Sequence, residues 1–280
     1  MAVQRIRHRL TMVKRQRSLA WSWVGWLVLA ACALQLLALG RIAMMVVVDP
    51  QSTSLQRSEA WRLMAHPEDM SWRQVWVSDA AISNKLRQAV VASEDSEFFR
   101  HNGVDWDAIQ GAWQRNSRAE QRAVTQRANK PAKVVGGSTI TQQLAKNLLL
   151  SKERTFLRKG QELLLTFALE TCLSKHRILT IYLNSVEWGD GIFCSEAAAQ
   201  HYFKKSAAKL SSRESAKLAV MLPYPNFYED LPNSGYLQGR TVTILSLMNQ
   251  VSLPRVTPLA ARVSLLACFC KVSSVCSSFH

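Results

Sequence analysis

The chain has 280 residues, 48% of them hydrophobic and 20% charged, and carries 35 Lys+Arg against 20 Asp+Glu for a formal net charge of +15. That length fits one large domain or two small ones, and the composition excludes disordered, collagenous and coiled-coil classes. A positive excess suits nucleic acid, an anionic membrane surface or a phosphorylated substrate, so where the charge sits decides more than its sum.

Residues 1–18 form a basic segment with Arg5, Arg7, Arg9, Lys14, Arg15 and Arg17. Leu19 to Gly40 follows as 22 residues without a formal charge, enough for a helix rising ~1.5 Å per residue to cross a ~30 Å hydrocarbon core. Trp21, Trp23 and Trp26 cluster at its start, where indoles favour the interface. The expectation is a transmembrane anchor over 19–40 whose basic flank stays cytoplasmic, placing everything after Arg41 outside; nucleic acid then drops out as a partner. A cleaved signal peptide, or a lipoprotein box at Leu29–Cys32, competes with this reading, but the apolar run is long for either and continues past Cys32.

Residues 41–78 read as a tether and domain rim, 79–250 as the folded body and 251–280 as a divergent tail, rich in Ser and Cys and without helical periodicity. Helical signals dominate the body. Ser83 can cap a helix through Ala92, and Ser211-Ser212-Arg213-Glu214 is a capping box for a helix to Leu222, whereas no alternation longer than Arg73 to Val77 suggests a strand. Gln114 to Lys133 is charged and short of large apolar residues, as a mobile loop, a kinked segment or an exposed linker would be. None of the six cysteines has His or Cys partners at zinc-ligand spacing.

In Ser138 to Leu150 a 100° step puts Ser138, Thr139, Gln142 and Lys146 on one face and Ile140, Leu144 and Leu148 on the other; Gly136-Gly137 before it leaves a helix N-terminus open to an anion. In Thr155 to Leu173 the expected core stripe is Phe156, Leu163, Leu164 and Phe167, with Arg158 and Glu162 paired at i, i+4 on the other face, where an ordinary surface salt bridge is the bland reading. The cluster Glu94-Asp95-Ser96-Glu97 lies beside Phe98, Phe99 and a turn glycine, a setting that can raise a carboxyl pKa for general-base work or be a solvated acidic turn.

VVASEDSEFFRHNGVDWDAI (Val90 to Ile109), GGSTITQQLAKNL (Gly136 to Leu148), RKGQELLLTFALE (Arg158 to Glu170) and RILTIYLNSVEWGDGIFCSEAAAQHYF (Arg177 to Phe203) resemble, in order and spacing, the signature motifs of the peptidoglycan glycosyltransferases of glycosyltransferase family 51. The resemblance implies a mainly α, lysozyme-like domain behind its single anchor in the inner membrane, facing the periplasm and polymerising lipid II into glycan strands with inversion and loss of undecaprenyl pyrophosphate. It assigns Glu94 the general base and Glu162 the donor side, assisting departure directly or through a divalent ion such as Mg or Mn; no organic cofactor is implied. Ser138, Gln142, Lys146, Arg154, Arg158 and Lys159 are the substrate-binding candidates, while Asp95 and His101 are expected to support the loop. Implied partners are lipid II, the growing strand, the membrane and cell-wall synthesis or division proteins. A lytic transglycosylase, or a membrane-anchored scaffold with impaired catalysis, is the alternative. The second arises because Cys194 stands where the family usually has glycine: if that position requires positive φ, a side chain costs about 1 kcal/mol or more.

Overall fold

The computed structural model describes residues 2–65, 72–125, 136–151, 153 and 155–254, with side chains from residue 21 onward apart from 123 and 124. Residues 255–280 of the expected tail and Arg154 therefore lie outside the described residues.

The chain opens with α1, Ala2–Met44, in which Trp21–Met44 is long and apolar enough to cross a membrane and is largely uncovered by the rest of the protein. Its last turn is different. Ile42, Ala43 and Met45 are buried in the main core, and Arg177 donates from Nε to Met45 O at 2.8 Å and from a terminal nitrogen to Val48 O at 3.1 Å, while pairing with Asp49 at 2.7 Å. Next come α2 (Ser54–Ala65), whose Leu63 is buried and which packs on α5, and the short strand β1 (Arg73–Gln74). The segment 41–78, expected as a tether and rim, thus contributes a helix and core residues.

The body follows as α3 (Asn84–Glu94), α4 (Trp106–Thr125), α5 (Ile140–Leu149), α6 (Phe156–Cys172), α7 (Lys175–Ser185), β2 (Glu187–Gly189), β3 (Ile192–Phe193), α8 (Ser195–Phe203), α9 (Ser212–Met221), α10 (Pro225–Asp230) and α11 (Gly235–Met248). The protein is mainly α. Its sheet has the order β1-β3-β2, with β1 parallel to β3 and β2 antiparallel to it. The helices α3, α9 and α11 pack as one group and α5, α6 and α7 as another, and their buried Leu, Ile, Val and Ala side chains join in a single core.

Caps fix where the helices begin. Ser83 accepts from Leu86 N at 3.1 Å, and the predicted capping box at Ser211 closes, with Glu214 reaching back to Ser211 N at 2.8 Å. Two expectations fail. Residues 114–125 continue α4 as helix, because charged residues on one face of an exposed helix need no loop. In α6 the core stripe is Leu165, Thr166, Leu169 and Cys172 together with Glu162, whereas Phe156 is 100% exposed and Leu164 and Phe167 also face outward. The helix is apolar on two faces, so periodicity alone offered two stripes; the one packed beside α5 and α7 is the more polar of them.

Candidate active site

Glu94 is the last residue of α3 and Asp95 is its C-cap, so the helix end delivers two consecutive carboxylates to one corner. They have different surroundings. Asp95 is buried and accepts from Ile140 N at 3.0 Å, at the N-terminus of α5, and from His101 Nε2 at 2.9 Å. Gly103 N donates to His101 Nδ1 at 3.1 Å, which leaves Nε2 as the protonated nitrogen facing Asp95. Thr139 Oγ1 donates to Gly103 O at 2.6 Å and closes the loop. Gly103 sits at φ +89°, and a Cβ there would meet Thr166 Cγ2 at 2.7 Å, so glycine is demanded by both backbone and space.

Glu94 is half-buried and lines a small cavity. Gln143 Nε2 donates to its Oε2 at 2.8 Å, and Gln143 Oε1 accepts from the hydroxyl of Tyr182 at 2.9 Å. Burial raises the Glu94 pKa above its ordinary value, with the neighbouring Asp95 charge adding to it, while the Gln143 hydrogen bond and the cations Arg240 and Lys146 oppose the shift.

A cleft of about 970 Å³ runs along α5 and α6, walled by Ser138, Gln142, Gln143, Lys146, Arg158 and Glu162 among others, with α2 contributing Arg57 and Trp61. Glu162 is 3% exposed. Arg158 donates to its Oε2 at 3.0 Å and Lys159 to its Oε1 at 2.5 Å, so both carboxylate oxygens are held by cations. The i, i+4 pair is therefore part of the wall rather than an exposed ornament. A second cavity, of about 170 Å³, is lined by Glu94, Asp95, Ser96, Arg115 and the Gly136–Thr139 turn; Ser138 borders both.

The candidates Glu94, Ser138, Gln142, Lys146, Arg158, Lys159 and Glu162 thus gather around two adjoining cavities. Two readings of the α5 region change. The helix starts at Ile140, so Ser138 and Thr139 precede the wheel, and Gln142 is largely spent on a capping box with Thr139. Gln143, passed over in the sequence, reaches Glu94; counting the wheel from Ile140 would have put it beside Lys146, three residues on. The anion expected at this helix N-terminus is supplied by the protein itself, since Asp95 takes the Ile140 N–H. Gly137 serves packing, as a Cβ there would lie 3.2 Å from Ile109 Cα.

Asn184 is a clamp inside the fold: it accepts from Val77 N at 3.0 Å and donates to Val77 O at 2.9 Å. Glu187 borders the large cleft and, with Glu59 and Asp190, forms an acidic group whose ligand atoms all lie within 4.8 Å of one another. Arg62 pairs with Glu59 and Asp190, each at 2.5 Å, and offsets this charge. Cys194 adopts φ +76°, is fully buried, and lies with Sγ 2.7 Å from Asn184 O.

A family model described as "Transglycosylase" matches residues 62–249. Over 231 residues the chain is 47% identical to the biosynthetic peptidoglycan transglycosylase of Paraburkholderia phytofirmans, covering 82% of this chain and 90% of the relative. It is 49% identical over 206 residues to the protein of that name from Bordetella pertussis (74% and 82% covered), and 47% identical over 227 residues to that of Janthinobacterium sp. (81% and 94%).

Proposed function

We propose, from the premise that the chain belongs to the transglycosylase family, how its cavities carry out the family's reaction. The protein is a peptidoglycan glycosyltransferase with a mainly α, lysozyme-like catalytic domain that builds glycan strands. The substrate is lipid II together with the growing strand. The 4-hydroxyl of the acceptor sugar enters beside Glu94, which takes its proton as the oxygen bonds to C1 of the donor. The bond from C1 to the lipid pyrophosphate breaks on the opposite face, the pyrophosphate leaving with the electron pair and the configuration inverting.

The observation that carries this reading is the unequal treatment of the two glutamates. Glu94, whose burial raises its pKa, is a stronger proton acceptor than an exposed carboxylate. Glu162, with both oxygens on cations, instead fixes Arg158 and Lys159 in the cleft, where with Lys146 they face the charge that develops on the pyrophosphate. A divalent ion at Glu162 would have to displace those two cations, and the acidic group at Glu59, Glu187 and Asp190 is braced by Arg62, so no step is routed through a metal. Arg154 completes the cation set as a proposal from the family resemblance alone.

We read Trp21–Met44 as an anchor in the inner membrane with the catalytic body on the periplasmic side; its apolar length and the basic residues before it support this reading. The outward Phe156, Leu157, Leu164 and Phe167 lie on α6, which packs against α1, and so border the bilayer from which a lipid-linked donor arrives. The test is polymer formation from labelled lipid II by the detergent-solubilised chain. Glu94→Gln is expected to abolish nearly all of it, and a loss smaller than about tenfold would remove Glu94 from the role of base. Release of fragments from purified sacculi, without polymer, would show a lytic enzyme instead.

A further inference from the structure

An amide side chain is ambiguous. Rotated by half a turn it occupies the same space but exchanges a donating NH2 for an accepting C=O. The orientation of Gln143 decides whether Glu94 meets a donor, which favours the carboxylate, or an acceptor, which repels it. Gln143 stands between two groups, Glu94 Oε2 at 2.8 Å on one side and the Tyr182 hydroxyl at 2.9 Å on the other. A carboxylate can only accept, and a phenol that donates demands an acceptor, so the two ends select the same orientation.

We propose that Tyr182 is a positioning residue for the proton-accepting carboxylate: its hydroxyl fixes the Gln143 amide so that N–H, and not C=O, is presented to Glu94. The proposal rests on the reading of Glu94 as the base. Tyr182 lies on α7, Gln143 on α5 and Glu94 at the end of α3, so one chain of hydrogen bonds ties three helices to the state of a single carboxyl. Tyr182 is 1% exposed, and burial, with the charges of Glu94 and Asp95, holds its pKa well above the ordinary phenol value. The hydroxyl thus remains a donor throughout the working pH range. Without it, the amide is free to turn and hydrogen bonding to the charged form of Glu94 is lost for part of the time. The other groups facing Glu94 are Asp95 beside it, Lys146 on α5 and Arg240 on α11, and a Tyr182→Phe substitution leaves all three in place.

The experiment is the pH–rate profile of lipid II polymerisation by the detergent-solubilised full chain, together with an NMR titration of the carbon-13-labelled Glu94 carboxyl, which needs no turnover. The rate falls on the acid side as Glu94 protonates. Tyr182→Phe is expected to move that limb and the carboxyl titration upward by about one pH unit, close to tenfold in rate below the limb. Gln143→Leu should raise both by as much or more, and adding Tyr182→Phe to Gln143→Leu should move them no further. Gln143→Leu also carries the test should Tyr182→Phe lose its cooperative unfolding transition. A rate lowered equally at every pH, with limb and titration unmoved, would make Tyr182 a packing residue and overturn the proposal. A further shift in the double variant would overturn the route through Gln143. Glu94→Gln separates the two levels: full activity there overturns the base reading, whereas an inactive Glu94→Gln with an unmoved titration in Tyr182→Phe overturns only the relay.

Discussion

Replacing Cys194 by glycine and by alanine tests whether the backbone before α8 is strained. The residue sits at φ +76°, ψ 142°, a region that L side chains rarely enter, at a cost of about 1–3 kcal/mol. Alanine keeps that cost and loses the sulfur that lies on Asn184 O. Glycine removes the strain but gives up one further buried methyl equivalent, about 0.8 kcal/mol, and frees the unfolded chain by about 0.4–1 kcal/mol. With about 2 kcal/mol of strain the sum favours glycine over alanine by about 0.5 kcal/mol; at an unstrained site it would favour alanine by about 1.5. The two cases differ by about 2 kcal/mol, or about 4–8 °C in Tm for a chain of this size. Thermal unfolding of the two detergent-solubilised variants measures the difference. A glycine variant melting several degrees below the alanine one would refute the assignment of strain. Burial pushes the thiol up to about 12, so in the native parent Cys194 should also resist alkylation until the fold opens.

Other outcomes follow from the same geometry. Glu94 has a folded pKa above its unfolded one, so its charge opposes folding above the folded pKa and ceases to do so below the unfolded value of 4.5. Glu94→Gln should accordingly be more stable than the parent at about pH 8, with the gap closing as pH falls through that range; chemical denaturation at several pH values reads it. Gly103→Ala must place its Cβ against Thr166 and Glu170 at positive φ, and should cost about 2–4 kcal/mol by the same measurement. Gln142→Ala and Gln143→Ala are expected to part company: the first loses a helix cap and about 1 kcal/mol of stability with polymerisation largely kept, the second loses polymerisation on the acid side of the pH profile with stability largely kept. Equal effects in the two would show that the cap and the contact to Glu94 are not separate functions.

What could be read in the residues was local or motif-borne. The caps at Ser83 and Ser211 were legible because they need only a hydroxyl and a residue three positions on. Glu94 and Glu162 became candidates through the motifs, not through composition, and both line cavities. Three-dimensional partnerships were not legible. That Asp95 would occupy the α5 N-terminus depends on residues 45 apart in sequence, and the Tyr182–Gln143 bond joins residues 39 apart. The α6 wheel misled because hydrophobicity cannot tell a face covered by protein from one left outward, and the covered face includes the polar Glu162 and Thr166. Cys194 shows the opposite case, in which a departure from a family pattern pointed correctly to an unusual backbone position.

Arg177 and the buried end of α1 fix how the apolar helix joins the domain. A helix that entered the body through a loose linker would let the domain swivel, tilt or rise above the lipid surface as a strand lengthened. Here three contacts from one guanidinium, and Ile42, Ala43 and Met45 sunk in the core, tie the end of the apolar helix directly to the domain. Were Trp21–Met44 to cross a bilayer, as proposed above, the lipid surface itself would set the height and heading of the cleft, as a keel sets a hull.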